Sequence, residues 1–140
     1  MNRIVDAALC YGGKMLLCLE EVSRFPGELY WLPPGGKKES KDKDDLAAIY
    51  RELEEELGLT KAMLNRGGVV LRSYCKHQDD WDGSKLVFQR FLAELDHYVP
   101  VQLSAGQKAF CWTSVPPVGG LISPPTEALM ITLRLGGYLY

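Results

Sequence analysis

The chain has 140 residues, of which 46% are hydrophobic and 24% charged, and its formal net charge at pH 7 is -2. This length suffices for one domain over residues 1–140, and a charge so near neutral gives no electrostatic case for binding nucleic acid. No stretch reaches the roughly 18 apolar residues of a membrane span, and four cysteines without a C-x-x-C pair favour free thiols in a reducing cytoplasm.

Apolar runs that alternate with glycine- and proline-containing segments predict a series of short elements. In chain order they are two strands of a hairpin (4–10 and 15–19), a loop (20–30), a short strand (31–32), a glycine loop (34–36), a helix (about 44–57), two antiparallel strands (68–76 and 86–95) joined by a polar connection (77–84), a short strand (110–113), a loop (115–125) and a closing helix (126–135). The most economical assembly is an α+β fold, with a mixed β-sheet flanked by helices on both sides.

The central predicted helix has one apolar side. Leu46, Ile49, Leu53 and Leu57 recur at helical spacing, which predicts that they face the core. Gly58 directly follows the last of them and suits the C-terminal end of a helix. The apolar period and the glycine therefore agree on where this helix ends.

A different face of the same helix carries three carboxylates, Glu52, Glu55 and Glu56. Positions three and four apart are neighbours on a helix surface, so three like charges repel one another there unless a cation lies between them. Hydrolysis of a phosphoanhydride needs such a cation to offset charge on the phosphate oxygens and to orient a water molecule. A glycine loop that leads into an acidic helix therefore indicates a divalent-metal site for phosphate chemistry.

These residues resemble the Nudix hydrolase family, whose box is written G-x5-E-x7-R-E-U-x-E-E-x-G-U, with U an aliphatic residue. The second half matches without a gap over Arg51–Leu59, read as RELEEELGL. Trp31-Leu32-Pro33, followed by Gly35-Gly36, is similar to the strand and loop that precede the box in the family. The resemblance implies one Nudix-like domain over residues 1–140, built as an α/β/α sandwich.

The first half of the box departs from the family pattern. Counting from Gly36, the acidic position falls on Asp42 instead of a glutamate, and eight residues instead of seven separate Asp42 from Arg51. We interpret this as a one-residue insertion, with Asp42 as the substitute acid. In the family that acid mainly supports the loop and the start of the helix, so the departure bears on loop geometry more than on metal binding.

The resemblance implies a role for each matched residue. Glu55 and Glu56 would bind Mg²⁺ or Mn²⁺, with the backbone carbonyl of Gly36 as a third ligand. Glu52 would be either a further ligand or the base that activates water. Arg51 would pair with a carboxylate, such as Glu55 at i+4, and hold it in place.

Some members of the family recruit another acid from the region after the second long strand. Here that region offers Gln102 and Gln107 and no carboxylate. Either the helix acids act alone, or Glu94, Asp96 or Glu127 serves as the additional acid. The sequence leaves these alternatives open.

Substrate contacts are predicted close to the glycine loop. Lys37 and Lys38 directly follow it and could meet phosphates, or could simply be solvated. Among the three tryptophans, Trp81 in the polar connection is the best candidate for stacking on a base or sugar. For Trp31 and Trp112, packing in the core is at least as good an interpretation.

The resemblance implies a small hydrolase that cleaves a nucleoside diphosphate linked to another group. A nucleoside triphosphate is the first choice of substrate, while dinucleoside polyphosphates, nucleotide sugars and ADP-ribose remain open. The residues of the box recognise the pyrophosphate and not the group appended to it. The alternative is a non-catalytic Nudix-fold module that binds a nucleotide and regulates or scaffolds. The apolar tail Leu133–Tyr140 could cover the core or join a second copy in a homodimer.

Overall fold

The computed structural model describes residues 2–22, 25–81 and 83–140. The elements within these ranges are β1 (Asn2–Tyr11), β2 (Lys14–Glu21), β3 (Leu29–Leu32), β4 (Gly35–Lys37), α1 (Asp45–Leu57), α2 (Lys61–Arg66), β5 (Arg72–Trp81), β6 (Ser84–Glu94), β7 (Gln107–Thr113), β8 (Leu121–Ile122) and α3 (Pro124–Leu135). Among these residues, none of the helices has the length and apolar character that crossing a membrane would take.

The strands form one mixed sheet, as predicted. Its main path runs β5-β6-β1-β2-β3-β8, while β4 pairs with β1 and β7 pairs with β2. β1 lies parallel to β6 from Asn2 opposite Leu86 to Cys10 opposite Glu94, and the predicted hairpin joins β1 to β2 in antiparallel pairing. The hairpin turn is formed by two glycines with φ of 60° and 80°, values that other residues rarely adopt.

Helices cover both faces of this sheet, which confirms the α/β/α sandwich. Successive side chains of a strand point to opposite faces, so Ala7 and Leu9 of β1 pack with α1 and α2, while Ala8 packs with α3. The C-terminal tail closes the second cluster, since Leu139 is 1% exposed within it. The tail therefore covers part of the core, which is one of the two roles considered from the sequence.

Helix α1 ends where the sequence predicts. Asp44 is its N-cap and accepts a hydrogen bond from the backbone N–H of Ala47 at 2.8 Å, and Gly58 closes it in the left-handed conformation with φ of 68°. The predicted buried side is confirmed except at Leu46, which is 38% exposed. Two of the acidic residues, Glu52 and Glu56, are instead buried, at 9% and 8% exposure.

Several boundaries differ from the prediction. The expected glycine loop is the strand β4, which pairs antiparallel with β1. The expected polar connection 77–84 belongs almost entirely to a long hairpin, since β5 continues to Trp81 and β6 begins at Ser84. Glycines and charged residues are depleted in strands, so propensity alone assigns both segments to loops. The short elements α2 and β8 were not predicted.

Candidate active site

The second half of α1 packs directly against the glycine strand β4. A side chain at Gly36 would come within 2.6 Å of the Glu52 carboxyl oxygen, so any residue larger than glycine would displace this carboxyl group. The backbone N–H of Gly35 donates a hydrogen bond to Oε1 of Glu56 at 2.8 Å. The structure thus brings Gly36, Glu52 and Glu56 together, as the sequence predicts; we call Glu52, Glu55 and Glu56 the carboxylate ridge.

Glu56 shares its surroundings with a second acid, Glu20 at the end of β2. The Gln107 side-chain amide lies between them and donates to Oε2 of Glu56 at 2.7 Å and to Oε2 of Glu20 at 2.8 Å. Burial raises the pKa of Glu56, and the nearby charge of Glu20 raises it further. Burial also raises the pKa of Glu20 and of Glu52. Burial therefore disfavours full ionisation of these carboxyl groups unless a cation lies among them.

Arg51 organises the other side of the ridge. Its Nε and Nη2 each donate to one oxygen of Asp42 at 2.9 Å, and its Nη1 donates to Glu52 at 2.9 Å and to Glu55 at 3.1 Å. The hydrogen bonds from Arg51 lower the pKa of Asp42 to about 2. Asp42 thus joins the loop to the helix through Arg51, while Glu55 stays at the rim with its side chain 53% exposed.

The donor set fits a divalent cation in its chemistry. Mg²⁺ prefers carboxylate and carbonyl oxygens, and the hydrogen-bond donors described above for Glu56 and Glu20 are neutral groups that leave their charge uncompensated. Within the described part of the chain, no three His, Cys, Asp or Glu side chains already surround one metal position. Arg51 and Gln107 occupy ridge oxygens, so binding a cation would exchange some of these contacts.

The three acids considered from the sequence as a further ligand lie away from the ridge. Glu94 pairs with Arg72 at 3.3 Å, and Asp96 pairs with His97 just beyond β6. Glu127 is in the first turn of α3, on the opposite face of the sheet from α1. None of these three side chains is therefore the acid beside Glu56.

Glu20 is the residue that sequence reasoning missed. The signal was present in the alternation of β2, because Leu16 and Cys18 face the core beneath α1 and Glu20 continues the same two-residue period. Only the pairing of β2 with β7, which brings Gln107 opposite Glu20, places it beside the ridge.

The three residues predicted to contact the substrate lie in different surroundings. Lys37 is exposed at the end of β4, whereas Lys38 pairs with Asp45 of α1 at 3.4 Å. Trp81 packs at ring-centroid distances of 5.5 Å from Phe25 and 5.3 Å from Tyr30 and lines a pocket beside the ridge.

This pocket has a volume of about 180 Å³ and shares Gly35, Gly36 and Glu20 with the site of the ridge. Asp6 of β1 lies in its wall and is only 4% exposed. Burial raises the pKa of Asp6 to about 6, although the nearby charge of Arg90 opposes the shift. The carboxylate ridge and a largely apolar cavity are thus adjacent.

Comparison with known proteins places these features in a family. The family model of the NUDIX domain matches residues 1–126. The peroxisomal coenzyme A diphosphatase NUDT7 of Mus musculus is 42% identical over 55 residues, which are 36% of this chain and 22% of that protein. The match therefore spans about a fifth of the length of this curated relative.

Solved structures share the fold. The ORF135 protein of E. coli superimposes with a TM-score of 0.67 and 23% identity, over 97% of this chain and 92% of that one. An Ap4A hydrolase of C. elegans superimposes with a TM-score of 0.62 and 20% identity, over 80% of this chain and 79% of that one. At these identities the likeness shows the fold alone.

Proposed function

This chain belongs to the Nudix family, and on that premise we propose that it hydrolyses a nucleoside diphosphate linked to another group, with Mg²⁺ or Mn²⁺ bound. The observation that carries the proposal is the concentration of buried carboxylates against Gly36, with Glu56 and Glu20 held by neutral donors. Burying like charges together is unfavourable unless a cation binds among them. A site of this kind is suited to a divalent cation and a phosphorylated substrate.

Glu52, Glu55, Glu56 and the backbone carbonyl of Gly36 would hold the cation. When bound, it offsets charge on the phosphate oxygens and orients a water molecule. Arg51 fixes the directions of Glu52 and Glu55 through charge-assisted hydrogen bonds.

The proton of the attacking water would pass to a carboxylate of this site. Burial raises the pKa values of Glu52, Glu56 and Glu20, which makes each a better proton acceptor than an ordinary exposed carboxylate. Water attacks a phosphorus of the pyrophosphate link, the bond to the bridging oxygen breaks, and the bridging oxygen leaves with the second phosphorylated product. Glu52 is therefore either a metal ligand or the general base, and Glu20 is a further candidate for either of these two roles.

The candidate substrates differ in the group appended to the nucleoside diphosphate. A nucleoside triphosphate, split into a monophosphate and pyrophosphate, is our first choice, while dinucleoside polyphosphates, nucleotide sugars and ADP-ribose are alternatives. Two relatives, a coenzyme A diphosphatase and an Ap4A hydrolase, are named for substrates with different appended groups. Lys37 and Lys38 would contact the phosphates, and Trp81 would contact the appended group.

Four free cysteines support a cytoplasmic location for the proposed enzyme.

A substrate panel tests this proposal. ATP, GTP, a dinucleoside tetraphosphate, a nucleotide sugar and ADP-ribose are incubated with and without Mg²⁺, and the products are separated by ion-exchange chromatography. We expect Mg²⁺-dependent release of two phosphorylated products from at least one compound. Replacing Glu55 or Glu56 by Gln should abolish most of this turnover, whereas the exposed Glu54→Gln on the same helix should keep it. Full activity of the Glu56→Gln variant would refute the assignment of the site.

A non-catalytic nucleotide-binding module is the second candidate function. One observation favours it, namely that Arg51 and Gln107 already hold ridge oxygens. Tight nucleotide binding without turnover of any compound in the panel would support this module over the enzyme.

A further inference from the structure

Helix α3 carries apolar side chains on the side that faces solvent. Residues spaced by three or four positions share one face of a helix, and on this face all four are apolar: Pro124, Ala128, Ile131 and Leu135. We call these four residues the α3 stripe. Ile131 is 51% exposed and Leu135 is 85% exposed, although the opposite side of α3 already packs in the core. The outer face of a surface helix is ordinarily polar, so the stripe indicates contact with another molecule.

The exposed apolar surface extends beyond the helix onto the loop that follows β7. Nη2 of Arg134 donates a hydrogen bond to the backbone carbonyl of Ser114, which ties this loop to α3. Val115 comes directly after Ser114 and is also exposed. The apolar surface is therefore wider than one row of helix residues.

Two charged residues border the stripe along one flank. Glu127 lies in the first turn of α3 and Arg134 in the last, seven residues apart and thus on the same side of the helix. When two antiparallel copies of a helix are related by a two-fold axis, the same flanks meet with their directions reversed. Each Glu127 then lies opposite Arg134 of the second copy, and Ile131 lies near the axis. Parallel copies would instead place like charges opposite each other.

We propose that the α3 stripe joins two copies of this chain in an antiparallel homodimer whose two-fold axis passes near Ile131. The carboxylate ridge stays open in this dimer, because α1 lies on the other face of the sheet. A helix of 12 residues is about 18 Å long, so two such helices bury less area than a standard protein interface. We therefore expect a reversible dimer with a dissociation constant on the order of 10 µM.

Sedimentation equilibrium measures this association, with protein concentrations from about tenfold below to about tenfold above the expected constant. The average mass of the unchanged protein should rise from one chain toward two. Ile131→Glu brings two like charges together at the axis and should remain monomeric. Val70→Glu is the matched control and should dimerise like the unchanged protein, because Val70 is exposed between Val69 and Leu71, which pack with α1. Urea unfolding of dilute protein should show that both variants fold.

Exchange of the two charges provides a second measurement, independent of Ile131. Glu127→Arg and Arg134→Glu each place like charges opposite each other at both contacts and should weaken association about tenfold at low salt. A dimer with one chain of each variant has opposite charges at both contacts again. An equimolar mixture should therefore associate about tenfold more tightly than either variant alone.

Three results would overturn the homodimer: a monomer at every concentration, a dimer that Ile131→Glu leaves intact, or a mixture of charge variants that associates no better than its components. Vesicles of phosphatidylcholine and phosphatidylserine are a second probe. If the monomeric protein binds these vesicles and Ile131→Glu abolishes the binding, the α3 stripe contacts a membrane surface and the homodimer is refuted.

Discussion

Replacing Glu56 by Gln should stabilise the metal-free protein at neutral pH while it abolishes turnover. Glu56 is 8% exposed, accepts hydrogen bonds from Gly35 and Gln107, and lies beside the second acid Glu20. Its charge is therefore unfavourable in the folded state until a cation binds. Gln keeps the size of the side chain but cannot ionise, so the variant loses the repulsion together with the proposed ligand.

The magnitude follows from proton linkage. Because burial raises the pKa of Glu56 above its ordinary value of 4.5, the folded state binds more protons than the unfolded chain once the pH exceeds that value, and stability falls as the pH rises. Each pH unit costs at most about 1.4 kcal/mol for one retained proton, so the cost between pH 5 and pH 7 is at most about 3 kcal/mol. Sharing of the proton with Glu20 and local relaxation reduce it, and we expect Glu56→Gln to be more stable by about 1–3 kcal/mol at pH 7.

Urea unfolding in the presence of EDTA, followed by tryptophan fluorescence at pH 5, 6, 7 and 8, measures this difference. The stability gap between Glu56→Gln and the unchanged protein should be small at pH 5 and should widen with rising pH. Glu54→Gln is the matched control, because Glu54 is exposed on the same helix. A Glu56→Gln variant that is less stable than the control at pH 7, or a gap that does not change with pH, would refute the electrostatic reasoning.

Other substitutions test single contacts of the site. Gly36→Ala should keep the fold, since its new methyl group meets the flexible end of Glu52, but displacing that carboxylate by about 1 Å should lower kcat about 100-fold, as steady-state kinetics will show. Glu20→Gln should raise the Mg²⁺ concentration for half-maximal activity about tenfold if Glu20 supports the metal, and a metal titration of activity measures it. Asp42→Asn removes a carboxyl whose pKa Arg51 lowers to about 2. The stability that Asp42 contributes is present above its ordinary pKa of 3.8 and lost as the pH falls toward 2, so acid unfolding of the variant should depend less on pH in that window.

The parts of the structure that follow local rules were predictable from the sequence. Helix α1 is defined by its apolar period, by Asp44 at its N-cap and by Gly58 at its end. The i+4 pair between Arg51 and Glu55 follows from helix geometry, and it is present at 3.1 Å. These features depend on residues a few positions apart, so the sequence shows them directly.

The features that depend on distant residues were not predictable. Glu20 and Gln107 meet through the pairing of β2 with β7 across 87 residues of sequence. The burial of Glu52 and Glu56 depends on the position of β4 against α1, and β4 begins with two glycines that propensity assigns to a loop.

Manganese binding tests the central claim most directly. Mn²⁺ is titrated into the unchanged protein and into Glu56→Gln and Glu54→Gln, and the free ion is measured by electron paramagnetic resonance. We predict at least one bound ion per chain in the unchanged protein and in Glu54→Gln, with affinity at least tenfold weaker in Glu56→Gln. Equal binding by all three proteins, or no binding by any of them, would contradict the assignment of a metal site to the carboxylate ridge.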